Sequence, residues 1–222
     1  MTQSTIELDA ITQLLQKCYT GVVNDVMRDL GLSNYVLPRE IRPLLMDKTL
    51  AGPIFTIEGE VNETLDGHQS LLEWTGLLSK AKPGHIWVCQ PNDNKVAHMG
   101  ELSAETLQHK GVLGCVVDGG ARDTGFIRRI GFQLWHRFYT PEDIVGYWKP
   151  KGFDVPIQIG GVSIHAGDYL LADDDGAIII PRDKAQHIAQ AAYDASKVEN
   201  KVRTAILDGM DAQEAYLQYG KF

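Results

Sequence analysis

Three cysteines in 222 residues, Cys18, Cys89 and Cys115, are too few and too widely spaced for a disulfide framework or a zinc knuckle. Buried thiols in a reducing compartment are the expectation. The seven histidines form no HxxxH or HExxH pair, so a zinc site is not indicated. There is no GxxxxGK(S/T) loop, no GxGxxG fingerprint and no GxSxG elbow, which argues against P-loop, dinucleotide and α/β-hydrolase chemistry. No apolar run approaches membrane-spanning length, and the opening segment MTQSTIELDAITQLLQKC carries Glu7 and Asp9 in a helical pattern unlike a signal peptide. Basic residues are outnumbered, 21 against 29 acidic, and the net charge of −8 gives no electrostatic reason to bind a polyanion. Neither nucleic acid nor a membrane is therefore an expected partner, and a cytoplasmic location follows.

What is present suffices for one full core. With 44% hydrophobic residues the chain is expected to form a single domain over 1–222. Ile11, Leu14, Leu15 and Cys18 repeat at helical spacing, as do Val22, Val23, Val26, Met27 and Leu30 after Thr20 as N-cap. LAGPIFTIEGEV reads as a strand, LLEWTGLLSKAKPG as a helix and Ile86 to Cys89 as a strand. SAETLQHK (helix), VLGCVV (strand), TGFIRRI (helix) and FQLWHRF (extended) alternate, which predicts an α/β core with parallel strands. Turns at Gly160-Gly161, Ala166-Gly167 and Asp175-Gly176 predict a following antiparallel portion. Two helices close the chain, over about 183–207 and 212–219.

Ligands of α/β sheets bind beyond the C-terminal ends of parallel strands, which directs attention to Asp118-Gly119-Gly120-Ala121-Arg122-Asp123 after VLGCVV. An arginine fork matches a carboxylate, and a lone aspartate suits Mg²⁺ that keeps its waters. The alternative is structural, with Asp123 capping the next helix and Arg122 pairing with Asp118. Upstream, Gly100-Glu101-Leu102-Ser103 starts a helix after a flexible PNDNKVAHMG loop, and its free N–H groups suit a carboxylate or an enolate oxygen; Glu101 there equally opposes the helix dipole. His98 is a further candidate acid or base, though most lone histidines are not catalytic. Glu199 interrupts the apolar stripe Ala195, Val202 and Ile206, so it either edges into solvent or reaches a partner's site. Asp173-Asp174-Asp175-Gly176 lacks EF-hand spacing and reads as a hairpin turn.

Across VLPREIRPL, LAGPIFTI, AKPGHIWV, GELSAETLQHKGVLGCVVDGGARDT, VPIQIGGVSIHAGDYLLADDDGAIIIPR and GMDAQEAYLQYG, the chain resembles the RraA-like family. That family includes regulator of ribonuclease activity A and the class II 4-hydroxy-4-methyl-2-oxoglutarate aldolases. The resemblance implies a swivelling β/β/α fold with flanking N- and C-terminal helices, and a homotrimer or hexamer with sites between subunits. It further implies that Arg122 binds the pyruvyl portion of a small 2-oxo acid, that Asp123 holds Mg²⁺ or Mn²⁺, and that the Leu102 and Ser103 amides serve as oxyanion donors beside Gly100. Glu199 would then come from a neighbouring subunit. Two positions depart from the aldolase pattern: Glu101 replaces an Asp, and Phe126 stands where Asp or Glu is usual. The implied activity is retro-aldol cleavage or oxaloacetate decarboxylation through a pyruvate enolate, with Arg122, Glu101 and Glu199 as catalytic groups. The alternatives are a protein-binding restraint on an RNA-degrading endonuclease, or the same scaffold acting on another sugar acid or oxo acid. Trp74, His98 and Trp148 are the expected lining for the substrate's distal group.

Overall fold

The computed structural model describes residues 7–221; residues 1–6, where the segment expected to be unlike a signal peptide begins, lie outside the described residues, as does 222. The chain opens with α1 (Ala10–Leu15), capped by the Asp9 carboxylate accepting from the Thr12 N–H at 2.8 Å, and α2 (Thr20–Asp29). Thr20 is not the cap of α2. Tyr19 occupies that position, and the Thr20 N–H and hydroxyl both donate to Asp173, at 2.7 and 2.8 Å. The acidic triplet is thus structural: Asp173 ties down α2, Asp174 accepts from the Asp47 N–H, and Arg42 donates to the carbonyls of Asp174 and Asp175.

There follow β1 (Arg42–Pro43), β2 (Leu50–Val61), α3 (Gly67–Ser79), β3 (Ile86–Gln90), β4 (Ala97–Met99), α4 (Glu101–His109) and β5 (Gly114–Val117). Next come β6 (Gly120–Ala121), α5 (Thr124–Ile130), β7 (Leu134–His136), β8 (Phe138–Tyr139) and β9 (Trp148–Phe153). The hairpins β10 (Ile157–Ile159) with β11 (Val162–Ile164) and β12 (Tyr169–Ala172) with β13 (Ala177–Ile180) are antiparallel, as the turn residues predict. The chain ends in α6 (Ala185–Leu207) and α7 (Ala212–Tyr219).

The main sheet has the order β1-β7-β5-β3-β2-β12-β13, with β2, β3, β5 and β7 mutually parallel, and antiparallel pairings of β1 with β7, β12 with β2 and β13 with β12 toward its ends. β2 is buried along almost its whole length, as expected of a central strand covered on both faces. One edge of β2 pairs with β3, and the other is shared end to end, with Leu50–Pro53 against β12 and Ile57–Val61 against β9. A bulge at Glu58/Gly59 lets the Trp148 ring lie over the backbone: a Cβ on Gly59 would stand 1.8 Å from Trp148 Cζ2.

Helices α3, α4 and α5 cover one sheet face around Trp74, Trp87, Leu107 and Ile127, and β10–β11 close the other around Ile54, Val116 and Ile159. Helices α1, α2 and α6 share a third core against β12–β13. The result is a mixed α/β domain with flanking helices. Cys18, Cys89 and Cys115 are free and buried, and burial pushes the Cys18 thiol up to about 11. Among the described residues, no helix is long and apolar enough to cross a membrane.

Candidate functional site

The three-stranded sheet β4-β6-β8 is parallel throughout and repeats the order β3-β5-β7, because each short strand follows its long one along the chain. PNDNKVAHMG is therefore not a loop to its end: Ala97–Met99 form a buried strand paired with β6. Asn, Asp and Gly content hid a strand held by non-local pairing. Beyond these strand ends three loops meet, joined by the Arg122 N–H donating to Met99 O at 2.9 Å and the Thr140 N–H donating to Ala121 O at 3.2 Å. They carry Gly100-Glu101, Arg122-Asp123 and Asp143.

Asp123 precedes α5 but does not cap it with its side chain. Its backbone is left-handed, with φ 54° and ψ 27°, and its carboxylate accepts instead from the Glu101 N–H at the start of α4, at 3.2 Å. The geometry thus decides against the capping alternative. Arg122 does not pair with Asp118 either; that carboxylate is bound by Arg137. The Arg122 guanidinium donates to Asp143 Oδ2 at 2.9 Å and lies 3.5 Å from Asp123 Oδ2. The side chains of Arg122 and Asp123 are 37% and 39% exposed, so these pairs are worth at most about 1 kcal/mol and can yield to a ligand.

Gly100 is extended, with φ −137°, so its value is space: a Cβ there would lie 2.8 Å from Asp123 Oδ2 and 3.3 Å from Arg122 Nε. In α4 the first intrahelical bond is Ala104 N–H to Gly100 O, at 3.0 Å. The Leu102 and Ser103 N–H groups consequently have no helical acceptor and are free for an anion. Glu101 is half-buried in the same turn. Asp143 was missed in the sequence; the strand-end rule, applied to FQLWHRF as well as to VLGCVV, points to the loop that contains it.

A cavity of about 220 Å³ opens beside Arg122 and Asp143, bounded by the start of α4, by α3 and by Ile144-Val145. Trp74 and His98 belong to its wall and Trp148 does not; it is fully buried, edge-on to His98 with ring centroids 5.1 Å apart. The Trp74 Nε1–H donates to Ser103 Oγ at 2.9 Å, which fixes the ring and leaves the serine proton available. Burial pushes the His98 imidazole down to about 4, against the opposite pull of Asp93, whose Oδ2 lies 3.4 Å from Nε2. Neither ring nitrogen has a hydrogen-bond partner among the described residues.

Glu199 stands elsewhere in the single chain. It lines a groove between α2 and α6 with Tyr19, Val22, Val202 and Ile206. Phe126 is half-exposed and lies under the Arg129 guanidinium, 4.0 Å from its ring centroid, supplying no carboxylate to the site.

The donor set can be tested against a divalent cation. Among the described residues no three His, Cys, Asp or Glu side chains cluster as a closed shell, which rules poorly for zinc or calcium cages. Asp123 is half-exposed, and among the described residues its Oδ1 has no hydrogen-bond partner. One such carboxylate beside open space fits Mg²⁺ or Mn²⁺, which keep several waters.

Comparison with known proteins gives a family match over residues 20–179, to RraA-like proteins described as Aldolase/RraA. A protein of Halalkalibacterium halodurans provisionally named 4-hydroxy-4-methyl-2-oxoglutarate aldolase is 29% identical, covering 97% of this chain and 97% of its own. Protein DlpA of Legionella pneumophila subsp. pneumophila is 26% identical over 98% of this chain, and the chain spans 35% of that protein's length. The solved structure of Streptomyces coelicolor RraAS2, described as an unusual member of the RNase ES inhibitor RraA protein family, superposes with a TM-score of 0.77 at 27% identity, covering 90% of this chain and 99% of that one.

Proposed function

The chain belongs to the RraA-like family, and from that premise we propose that it is a metal-assisted carbon–carbon lyase acting on a small 2-oxo acid. The observation that carries this reading is Asp123: its carboxylate leaves its own helix uncapped and sits with Arg122 at the start of α4, beside the cavity.

In this reading Arg122 releases Asp143 and takes the substrate carboxylate in its fork. The Leu102 and Ser103 N–H groups face the 2-oxo oxygen and stabilise the negative charge that grows there as the bond beyond C3 breaks. Asp123 would hold Mg²⁺ or Mn²⁺, which supplies Lewis-acid polarisation of the 2-oxo group when bound. Glu101 relays the proton lost from the substrate hydroxyl in retro-aldol cleavage, and in decarboxylation CO₂ leaves without a base. Glu199 would join as a second relay only from a neighbouring protomer, in a homotrimer or hexamer. The pyruvate enolate is protonated at C3 and leaves as pyruvate.

The test is pyruvate release from 4-hydroxy-4-methyl-2-oxoglutarate and from oxaloacetate, with Mg²⁺ or with excess chelator, for the wild type and Asp123→Asn. Release that needs the metal and is lost in the variant supports the lyase; no release from either compound overturns it for these substrates. The likeness to RraAS2 supports a second reading, a protein-binding restraint on an RNA-degrading nuclease. That role would survive Asp123→Asn unchanged, since it needs no metal.

A further inference from the structure

We infer that Asp143 is the base that takes the substrate hydroxyl proton in retro-aldol cleavage, and that substrate binding itself frees it for that task. The inference rests on the lyase reading for the placement of the substrate carboxylate on Arg122. Among the described residues, the titratable side chains in the cavity wall are His98, Arg122 and Asp143. Arg122 has no lone pair to offer, and the His98 side chain is fully enclosed. Asp123 lines a different cleft, with Tyr139 and Thr140, and Glu101 lines neither. Asp143, with its side chain 38% exposed, is the carboxylate that remains.

The loop that carries it is tied down on both sides. The Ala97 N–H donates to Glu142 O at 2.9 Å, which pins the loop to β4, and the Gly146 N–H donates to Ser70 Oγ at 3.0 Å, which pins it to α3. The carboxylate itself is held at two points, with Oδ1 accepting from the Val145 N–H at 3.0 Å and Oδ2 from Arg122 at 2.9 Å. A ligand competes only for the second bond. When the substrate carboxylate takes the guanidinium, the Val145 N–H keeps Asp143 in place and Oδ2 is left with open lone pairs beside the bound molecule. Without substrate the same oxygen stays engaged with Arg122.

In cleavage, Oδ2 takes the proton of the C4 hydroxyl. The O–H electron pair becomes the second bond of the new C4 carbonyl, the C3–C4 bond breaks, and its pair enters the enolate of the half held by Arg122. After the first product leaves, the Asp143 carboxyl protonates C3 and becomes a carboxylate again. Any proton relayed by Glu101 passes through Asp143 first, since Glu101 does not line the cavity. Oxaloacetate has no hydroxyl to deprotonate, so the loss of CO₂ from it makes no demand on Asp143.

This difference supplies the experiment. Asp143→Asn, whose amide oxygen can still accept from the Val145 N–H, is compared with the wild-type full chain in Mg²⁺ for pyruvate release from 4-hydroxy-4-methyl-2-oxoglutarate, for loss of oxaloacetate and for calorimetric binding of pyruvate. The expected result is a fall of about a hundredfold or more in kcat for the first, with oxaloacetate loss within about threefold of the wild type and pyruvate bound at least as tightly. Asp143→Ser keeps an acceptor for the same N–H and should give the same split. A parallel fall in both reactions overturns the inference, and weaker pyruvate binding alongside it would mean that Asp143 only holds Arg122 in place. Unchanged retro-aldol cleavage in the variants also overturns it and leaves the lyase standing, as does a wild type active on oxaloacetate alone. A wild type inactive on both compounds sinks the lyase reading itself.

Discussion

At the scale of single residues, Asp123 combines an unusual backbone with a side chain directed at another helix. A left-handed conformation costs a non-glycine residue about 1 kcal/mol or more, but Asn tolerates it nearly as well as Asp. Asp123→Asn should therefore keep its melting temperature within about 2 °C of the wild type while losing metal-dependent turnover, as thermal denaturation and pyruvate release would report. Gly100 makes the complementary case. A methyl group 2.8 Å from Asp123 Oδ2 must displace that carboxylate or Arg122. Gly100→Ala is expected to lower kcat/KM by about tenfold or more with little change in the unfolding midpoint, and an unchanged kcat/KM would count against the site. The Arg-Asp pair was legible in the sequence as a motif, yet its role was not. Capping and ligand binding differ only in φ, ψ and the direction of one carboxylate, which no spacing encodes.

At the scale of elements, strands with alternating or continuous apolar content were readable, and so were the helices: Leu50–Val61 and Thr124–Ile130 fall where the pattern puts them. Trp148–Phe153 was not, because WKPKGF has no strand periodicity and contains Pro and Gly. It is a strand by virtue of pairing with β2 and of the Trp148 indole, whose Nε1–H donates to Pro91 O at 2.8 Å. β4 escaped for the same reason, being recruited by β6 rather than by its own composition. The dependence of β9 on one glycine can be measured. Gly59→Ala forces the Trp148 ring out of its seat and should destabilise the protein by about 3 kcal/mol in urea unfolding; a loss below about 1 kcal/mol would mean that β9 relaxes at little cost.

At the scale of the whole molecule, two enclosed histidines link stability to pH. His98 and His136 are each pushed down to about 4 by burial, from 6.5 in an open chain. Between those values the unfolded chain binds protons that the folded one refuses, so stability is complete above about pH 6.5 and declines as the pH falls toward 4. For His98 alone the loss approaches about 3 kcal/mol at pH 4. Denaturation midpoints measured from pH 7 to 4.5 should fall accordingly, and His98→Gln should flatten the slope whatever its own stability. The same enclosure predicts that the thiols of the native protein resist a disulfide reagent until it unfolds, as a thiol titration with and without denaturant would reveal. The shared edge of β2 has a consequence of another kind, in the order of synthesis. β2 leaves the ribosome early, while β9 and β12, which complete its second edge, are translated much later. Until then a long apolar strand has one open side, a template on which nascent chains could stick to each other. The bulge at Glu58/Gly59 interrupts that side. The residues that shape the finished sheet thus also protect the unfinished one.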